Sequence, residues 1–449
     1  MPKYVKIRKG LNIKLQGEAE KVFIDLPFSK TYALKPPDFI GIKPKLLVNT
    51  GDVVKAGTPL FYDKDNEKVM FTSPVSGEVL EIHRGAKRKI LEVKVLADKE
   101  ISYVPFKKAD PNDIGRENII DAMLKSGVWA LVRQRPFSTI ANPADNPKAI
   151  FISAFDTNPL APDNDFILHG KGEIFQTGLD AIAKLTSGKI HLNINADTTT
   201  SKVFTNSKKV EINEISGPHP AGNVGIQIHH IDPINKGDVV WYLSPQDVLI
   251  IGRLFLEGRF NASRIVALTG SEAKKRKYYK TMIGASIEEM IAGNPISDKP
   301  RYISGNVFTG TKIEADGYVG FYDTQVTVIP EGDEPEFFGW ITPGLNKFSM
   351  SRTFLSWLMS NKKYSLNTNL HGEKRAFVVT GQYEKVLPMD IYPVQLIKSI
   401  IIGDIELMEN LGIYEVSEED FALCEFVCTS KINVQEIIRQ GLDLVKREC

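Results

Sequence analysis

Short apolar runs alternate with polar turns over the first hundred residues. Lys45–Val48, Pro59–Tyr62, Val69–Phe71, Gly77–Leu80 and Leu91–Val95 are separated by Gly, Asp and Pro, the pattern of strands closed by tight turns. At Asp110 the period changes. Asp110 is placed to cap a helix, Pro111 suits its first turn, and Ile119, Ile120, Met123 and Leu124 supply one apolar face before Gly127, so the pattern predicts a helix opening at Asp110. Ala149–Ile152 reads as a buried strand, Leu179, Ile182 and Ala183 as a helix ending near Gly188, and Lys189–Ile194 as an alternating strand. Ser244-Pro245 opens a helix with Val248, Ile251 and Phe255 on one face, stopped by Gly258. Strands and helices taking turns predict an α/β sheet covered by helices.

Arg264–Leu268 begins a third region, a short α+β unit. Ser286-Ile287-Glu288-Glu289 reads as a capping box for a helix ending at Gly293, and strand-like stretches return at 301–303 and 324–329. Pro330-Glu331-Gly332-Asp333-Glu334-Pro335 reads as an acidic linker. The last hundred residues read as mainly helical, with Ser417 as a cap and Val434, Ile437, Ile438, Leu442 and Val445 as a terminal apolar stripe. No internal repeat is visible.

A length of 449 residues is a prior of about three domains. The 56 basic and 55 acidic residues leave a net charge of +1, which argues against a dedicated nucleic-acid binder. No run approaches the ~18 apolar residues of a membrane span; the longest, Ile391–Ile402, is broken by Pro393, Gln395 and Lys398. The N-terminal Met1-Pro2-Lys3-Tyr4-Val5-Lys6 carries no apolar signal, and three cysteines make no disulfide framework. These features predict a soluble, cytosolic, multidomain protein that meets a membrane only through partners.

Gly51–Leu60 and Ser73–Val79 echo the barrel-sandwich of biotinyl and lipoyl carriers. The carrier lysine's place is held by Asn66, between Lys64 and Lys68, and an amide cannot be acylated as an amine can, so the fold is expected without the carrier role. Asp63–Lys68 starts like a calcium loop, but Lys68 stands where the turn needs glycine, which leaves a charged hairpin tip. Cys424, Cys428 and Cys449 fall one short of the four thiolates an iron–sulfur cluster usually takes, so buried free thiols are expected.

Gly217–Pro233 concentrates His219, His229 and His230 among glycines and prolines. Adjacent His229 and His230 read as opposite faces of a strand, unable to share a metal, so the stretch is either a structural turn or a loop that approaches a ligand or partner. Arg133-Gln134-Arg135-Pro136-Phe137 suits an anion or a quinone head group, or else its arginines pair with Asp145 and Asp156. Lys274–Lys280, and Arg84 with Lys87–Lys89, read as solvated faces or docking patches for an acidic partner or anionic lipid. No dinucleotide fingerprint, P-loop, zinc-protease or serine-hydrolase motif occurs, so no autonomous active site is expected.

Several longer strings carry a resemblance. Lys9-Gly10-Leu11, Pro37–Pro44, Arg133–Phe137, Asp156–Pro162, Gly217–Gly222 and Cys424–Lys431 make the chain, end to end, similar to the A subunits of the bacterial sodium-translocating NADH:quinone reductases. That family is similar in architecture to the NADH-binding flavoprotein subunit of respiratory complex I and to the C subunit of the Rnf complex. Those relatives hold a flavin phosphate in a Gly-rich loop where this chain has Arg133–Phe137, and ligate a cluster near the C-terminus where only Cys424 and Cys428 stand.

The resemblance implies four regions: a barrel-sandwich hybrid (1–109), a Rossmann-like α/β domain (110–260), a β-grasp domain of the soluble-ligand-binding kind (261–335) and a mainly helical C-terminal domain (336–449). It further implies a cofactor-free, metal-free peripheral subunit on the cytoplasmic face of the bacterial inner membrane. Its partners would be subunits B to F, B most directly, which carry the flavins, iron–sulfur centres and sodium path of a complex that reduces quinone with NADH. No catalytic residue is expected here. Arg133, Arg135, Phe137, His219, His229 and His230 are the residues expected near a quinone; the alternative is a scaffold that stabilises the membrane-embedded B subunit.

Overall fold

In the computed structural model, residues 3–26, 29–333, 336–339, 341–359 and 361–448 are described. Met1, Pro2, Glu334, Pro335 and Cys449, which entered the sequence reading, lie outside them. The first two strands leave the segment in which they begin. β1 (Lys3–Lys6) pairs in parallel with residues 213–216, and β2 (Phe23–Asp25) with residues 278–280. Each completes the open edge of a larger sheet, where unpaired backbone groups need partners. Within the region expected as a barrel-sandwich over 1–109, the strands of the two facing sheets start at β3 (Thr31–Leu34).

Its two sheets are β4 (Pro44–Leu46), β6 (Pro59–Asp63) and β7 (Asn66–Thr72) against β3, β5 (Val53–Val54), β8 (Gly77–Arg84) and β9 (Ile90–Ala97). Leu60, Phe61, Phe71, Val75, Val79 and Val93 are buried between them. At Gly77 (φ +149°) a Cβ would lie 1.8 Å from the Leu96 carbonyl oxygen, so only glycine fits that turn into β8. Asn66 opens β7 at a hairpin tip, where Asp63 accepts from the Lys43 and Asp65 amides.

Helix α1 (Arg116–Ser126) starts six residues after the expected cap. Asp110 instead accepts from the Asn112 amide and side chain, a local turn that competes with the helix. The α/β domain follows with β10 (Arg133–Arg135), β11 (Thr139–Ile140), β12 (Ala149–Ser153), α2 (Asn164–Ile167), α3 (Gly172–Ile182), β13 (Lys189–Asn195), α4 (Lys202–Thr205), β14 (Glu211–Ser216), α5 (Val224–Ile231), β15 (Val240–Leu243) and α6 (Pro245–Glu257). The sheet order is β1-β14-β13-β12-β15-β10-β11, with β10 and β11 antiparallel. β13 is buried at five successive positions rather than alternating, as expected of a parallel strand covered on both faces. Ser244 and Asp247 form the capping box of α6.

A six-stranded sheet builds the next region, ordered β19-β18-β20-β16-β17-β2, from β16 (Ser263–Thr269), β17 (Tyr278–Met282), β18 (Pro300–Ser304), β19 (Thr311–Ile313) and β20 (Gln325–Pro330), with the one-turn α7 (Glu288–Ile291) between β17 and β18. The capping box expected at Ser286 does not form: Ile287 is the cap, and Ser286 Oγ accepts from the Glu288 amide. A buried ion pair, Arg264 to Asp247 at 2.5 Å, joins this sheet to α6. The acidic stretch is not a free linker, because Glu331 is held by Arg301, Lys312 and Thr368.

Apart from one 3-10 turn, helical structure in the C-terminal region begins at Tyr383. Residues 336–382 hold one 3-10 turn, Leu355–Leu358, among the described residues, and Pro343, Gly344 and Gly372 interrupt any helical period. Then come α8 (Tyr383–Val386), α9 (Pro393–Ile402), α10 (Ile405–Asn410), α11 (Ala422–Phe426) and α12 (Val434–Glu448). Leu396, Met408, Phe421, Ile438 and Leu442 form one core with Val5 and Ile215 of the α/β sheet. Among the described residues no helix is long and apolar enough to cross a membrane.

Helices α3 and α6 cross at glycines: a Cβ on Gly252 would lie 2.0 Å from the Ile174 carbonyl oxygen, and one on Gly178 2.2 Å from that of Val248. Gly252→Ala is expected to push the helices apart and cost about 1–3 kcal/mol, read as a lowered melting temperature.

Candidate functional site

The parallel strands all end on one edge of the α/β sheet. From β12 the chain turns one way to β13 and β14, and the next strand, β15, lies on the other side, so the strand order reverses between β12 and β15. Open α/β sheets bind ligands in the crevice outside the strand ends at such a point. The loop after β12 brings Asp156, Thr157 and Asn158 there, and the loop after β14 brings His219.

Arg133 faces this end of the sheet, level with Tyr242 in the β10–β15 pairing. Its guanidinium lies between two rings, 4.5 Å from the centroids of Tyr242 and of Tyr322, which reaches in from the neighbouring six-stranded sheet region. Burial works against the charge, but the two tyrosines and Glu419 outweigh it and hold the guanidinium protonated. Arg133 Nε is buried without a hydrogen-bond partner, and no carboxylate among the described residues pairs with this arginine. Asp156 exposes its side chain, yet burial by the surrounding mass pushes its carboxyl above the ordinary range, with Glu419 adding repulsion.

Arg135, two residues on, is fully buried. It donates to Asp420 Oδ2 at 3.0 Å and Glu419 Oε1 at 2.6 Å, partners more than 280 residues away. Burial opposes this charge too, and the two carboxylates raise its pKa regardless. Burial pushes Asp420 up to about 6 against the pull of Arg135; the same carboxylate accepts from the Ser417 amide and would collide with any Cβ at Gly225. The expected pairing of these arginines with Asp145 and Asp156 is thus corrected.

His219 is buried, with Nδ1 3.1 Å from Thr157 Oγ1, Nε2 unpartnered and the ring stacked on Phe308 at 5.2 Å. Burial lowers its pKa to about 4, so it is neutral. His229 and His230 do not lie on a strand. They occupy the last turn of α5, which buries Ile226 and Ile228 against the sheet. His229 Nε2 accepts from the Asp390 amide and Nδ1 lies 2.7 Å from Glu415, while His230 Nδ1 lies 2.9 Å from the Ile226 carbonyl oxygen. At 1.5 Å per residue α5 carries them roughly 8–9 Å from its start at Val224. Phe137, in a left-handed turn (φ +78°) at the tip of the β10–β11 hairpin, meets Tyr414, and its carbonyl accepts from Arg439. Of the six residues singled out, Arg133 and His219 sit at the strand ends and Arg135 sits below Arg133. Phe137 and His229 pack against the C-terminal region, while His230 meets Ile226 and His229 on its own helix.

Sequence reading missed Tyr242, Tyr322, Glu419 and Asp420. Only Ser417 gave a signal, as the cap whose box partner is Asp420. Cys424 and Cys428 are buried, and burial raises the Cys424 thiol well above its ordinary value. In the basic run at 274–280, Tyr278 and Tyr279 are buried, so it presents charge without aromatics.

Three family models match the chain: "NqrA N-terminal barrel-sandwich hybrid domain" over residues 5–98, "NqrA second alpha/beta domain" over 114–260 and "NQRA C-terminal domain" over 265–315. The A subunit of the Na(+)-translocating NADH-quinone reductase of Yersinia pestis bv. Antiqua (strain Angola) is 39% identical over 447 residues, covering 99% of this chain and 100% of the relative. That of Neisseria meningitidis serogroup A is 39% identical over 450 residues, with the same coverage. Among solved structures, a chain of an NAD+-reducing [NiFe]-hydrogenase is 10% identical with a TM-score of 0.38, covering 78% of this chain and 67% of that one.

Two consequences are measurable. Asp420→Ala leaves a buried guanidinium half-paired and is expected to cost about 3–5 kcal/mol in denaturant unfolding, whereas Arg135→Met with Asp420→Leu should fall close to the parent. The unfolded chain takes up the His219 proton near pH 6.5 and the folded chain only near 4. Stability is therefore fully present above pH 6.5 and lost as pH falls toward 4, by roughly 3 kcal/mol, and His219→Gln should flatten that slope.

Proposed function

The chain belongs to the NqrA family, the A subunits of Na(+)-translocating NADH-quinone reductases, and from that premise we propose that it serves the quinone-reducing end of such a complex, with the quinone head group in the crevice beside Arg133. One observation carries the reading: a charged guanidinium clamped between Tyr242 and Tyr322, without a carboxylate of its own, at the strand-order reversal. Reduction of a quinone to a quinol adds two electrons and two protons, and negative charge grows on its oxygens. A fixed guanidinium favours that charge. Asp156, whose carboxyl burial pushes above its ordinary range, sits at the same strand ends as a candidate proton donor.

The electrons come from NADH by way of partner subunits B to F. This chain itself is read as holding no flavin, cluster or metal. The stretch that would cradle a flavin phosphate is strand β10 with two large, buried or clamped arginines, and the Cys424 thiol is held protonated by burial. The protein would lie on the cytoplasmic face of the inner membrane, touching the B subunit most directly, while the complex exports sodium. His229 and Phe137, engaged with the C-terminal region, drop out of the quinone contact and serve the join between domains, and His230, bonded within its own helix, drops out with them.

A scaffold role is the second reading, favoured by the exposed apolar side chains of residues 337–359. Arg133→Ala in the assembled complex separates the two. Loss of one buried polar partner should weaken quinone binding by about 1–3 kcal/mol, roughly 5- to 150-fold, and leave NADH oxidation by the flavin-bearing partner unchanged. Unchanged quinone affinity and turnover in that variant would decide for the scaffold.

A further inference from the structure

Residues 337–339 and 341–359 leave a broad apolar surface uncovered. Some of their polar groups bond within the segment: Ser356 is buried and donates to the Lys347 carbonyl at 2.5 Å, the Leu355 amide donates to Pro343, and Lys347 donates to the Gly339 carbonyl and pairs with Glu336. Phe348 and Met350 pack against the C-terminal core, and six other apolar side chains point outward. Phe337 is 89% exposed, Ile341 66% and Leu358 63%, with Leu345, Leu355 and Trp357 about half exposed. Single exposed apolar residues are ordinary, but six on one short segment form a patch that water does not favour.

The charge of the segment is also one-sided. Residues 336–363 hold four cations and one carboxylate, while the whole chain is balanced to +1. Among the described residues Arg352 and Lys362 have no carboxylate partner. Arg352 lies over the Trp357 ring at 5.7 Å, and Lys362 donates only to the Leu345 carbonyl and the Asn346 side-chain oxygen. The shape is held by its own hydrogen bonds and is anchored where Tyr364 pairs with Leu15. It is thus a preformed apolar surface with unneutralised positive charge at its margin.

We propose that residues 337–359 are the surface by which this chain docks onto a different protein of its reductase complex, against an apolar face flanked by carboxylates. Membership in a family of complex subunits supplies the partner class, and the charge imbalance supplies its sign. Obligate interfaces inside an assembly are the apolar ones, which fits a segment that leaves so much hydrocarbon uncovered when the chain is alone. The inference does not depend on the quinone reading.

The test uses the full chain in the assembled complex. A benzoylphenylalanine photo-crosslinker at Trp357 is expected to attach to one of the other subunits, within a stretch carrying Asp or Glu. Cross-links to lipid or to a second copy of this chain would overturn the proposal, as would none in an intact complex. Independently, Ile341→Ser with Leu358→Ser should weaken association with the remaining subunits at least tenfold. Ile401→Ser with Ile402→Ser, exposed on α9 instead, should not. Free-chain melting should be unchanged in both variants. Association unchanged by the first pair would sink the idea, and the cross-link still decides if that variant fails to fold.

Discussion

A single buried guanidinium organises the meeting of the two largest units of this molecule. Arg135 has no access to water, and burying a lone cation is costly enough that something must supply its counter-charge. Glu419 and Asp420 do so from the far end of the chain, which fixes where the C-terminal helices sit on the α/β sheet. Asn223 donates to the Glu419 carbonyl, and Gly225 leaves room for the Asp420 carboxylate at the start of α5. Along the same segment Tyr414 meets Phe137 and Glu415 meets His229. Residues 414–420 therefore act as a clasp laid across the domain.

The clasp also shapes the crevice. Glu419 is only partly buried, and its charge reaches Arg133, Arg135, Asp156 and Asp420 alike. It favours the cationic form of both arginines and disfavours ionisation of both aspartates. Glu419 thus adds to the two tyrosines in keeping Arg133 charged, and to burial in making Asp156 ionise reluctantly. That pairing of opposite tendencies is what a site needs in order to hold negative charge and supply a proton in the same place.

Much of the fold was legible from local pattern. The Ser244–Gly258 helix with its cap and stop, the buried strand at 149–152 and the terminal stripe from Val434 to Val445 follow from periodicity and turn chemistry, which act over a few residues. What failed was settled by distant partners. Strands β1 and β2 look like part of the barrel-sandwich in sequence, but the open edges of other sheets claim them. His229 and His230 read as strand residues because Gly217–Pro220 breaks any helical period before them, and the helix begins only at Val224. In the site, the arginines were legible as residues that need an anion. Their counter-charge was not, because Asp145 and Asp156 are near in sequence whereas Asp420 is near only once the chain has folded.

The same contrast separates the two surfaces on which function rests. In the crevice Arg133 has no carboxylate and His219 Nε2 no hydrogen-bond partner, so the unsatisfied elements are polar. On residues 337–359 the polar groups are satisfied and the hydrocarbon is not. A small polar ligand answers the first need and a broad apolar partner the second, and neither can answer the other's. Ring contacts join the docking segment to the crevice, because Phe348 meets Phe426, Phe426 meets Phe308 and Phe308 stacks on His219. Close-packed cores yield little to small displacements, so the two surfaces are mechanically joined yet chemically independent.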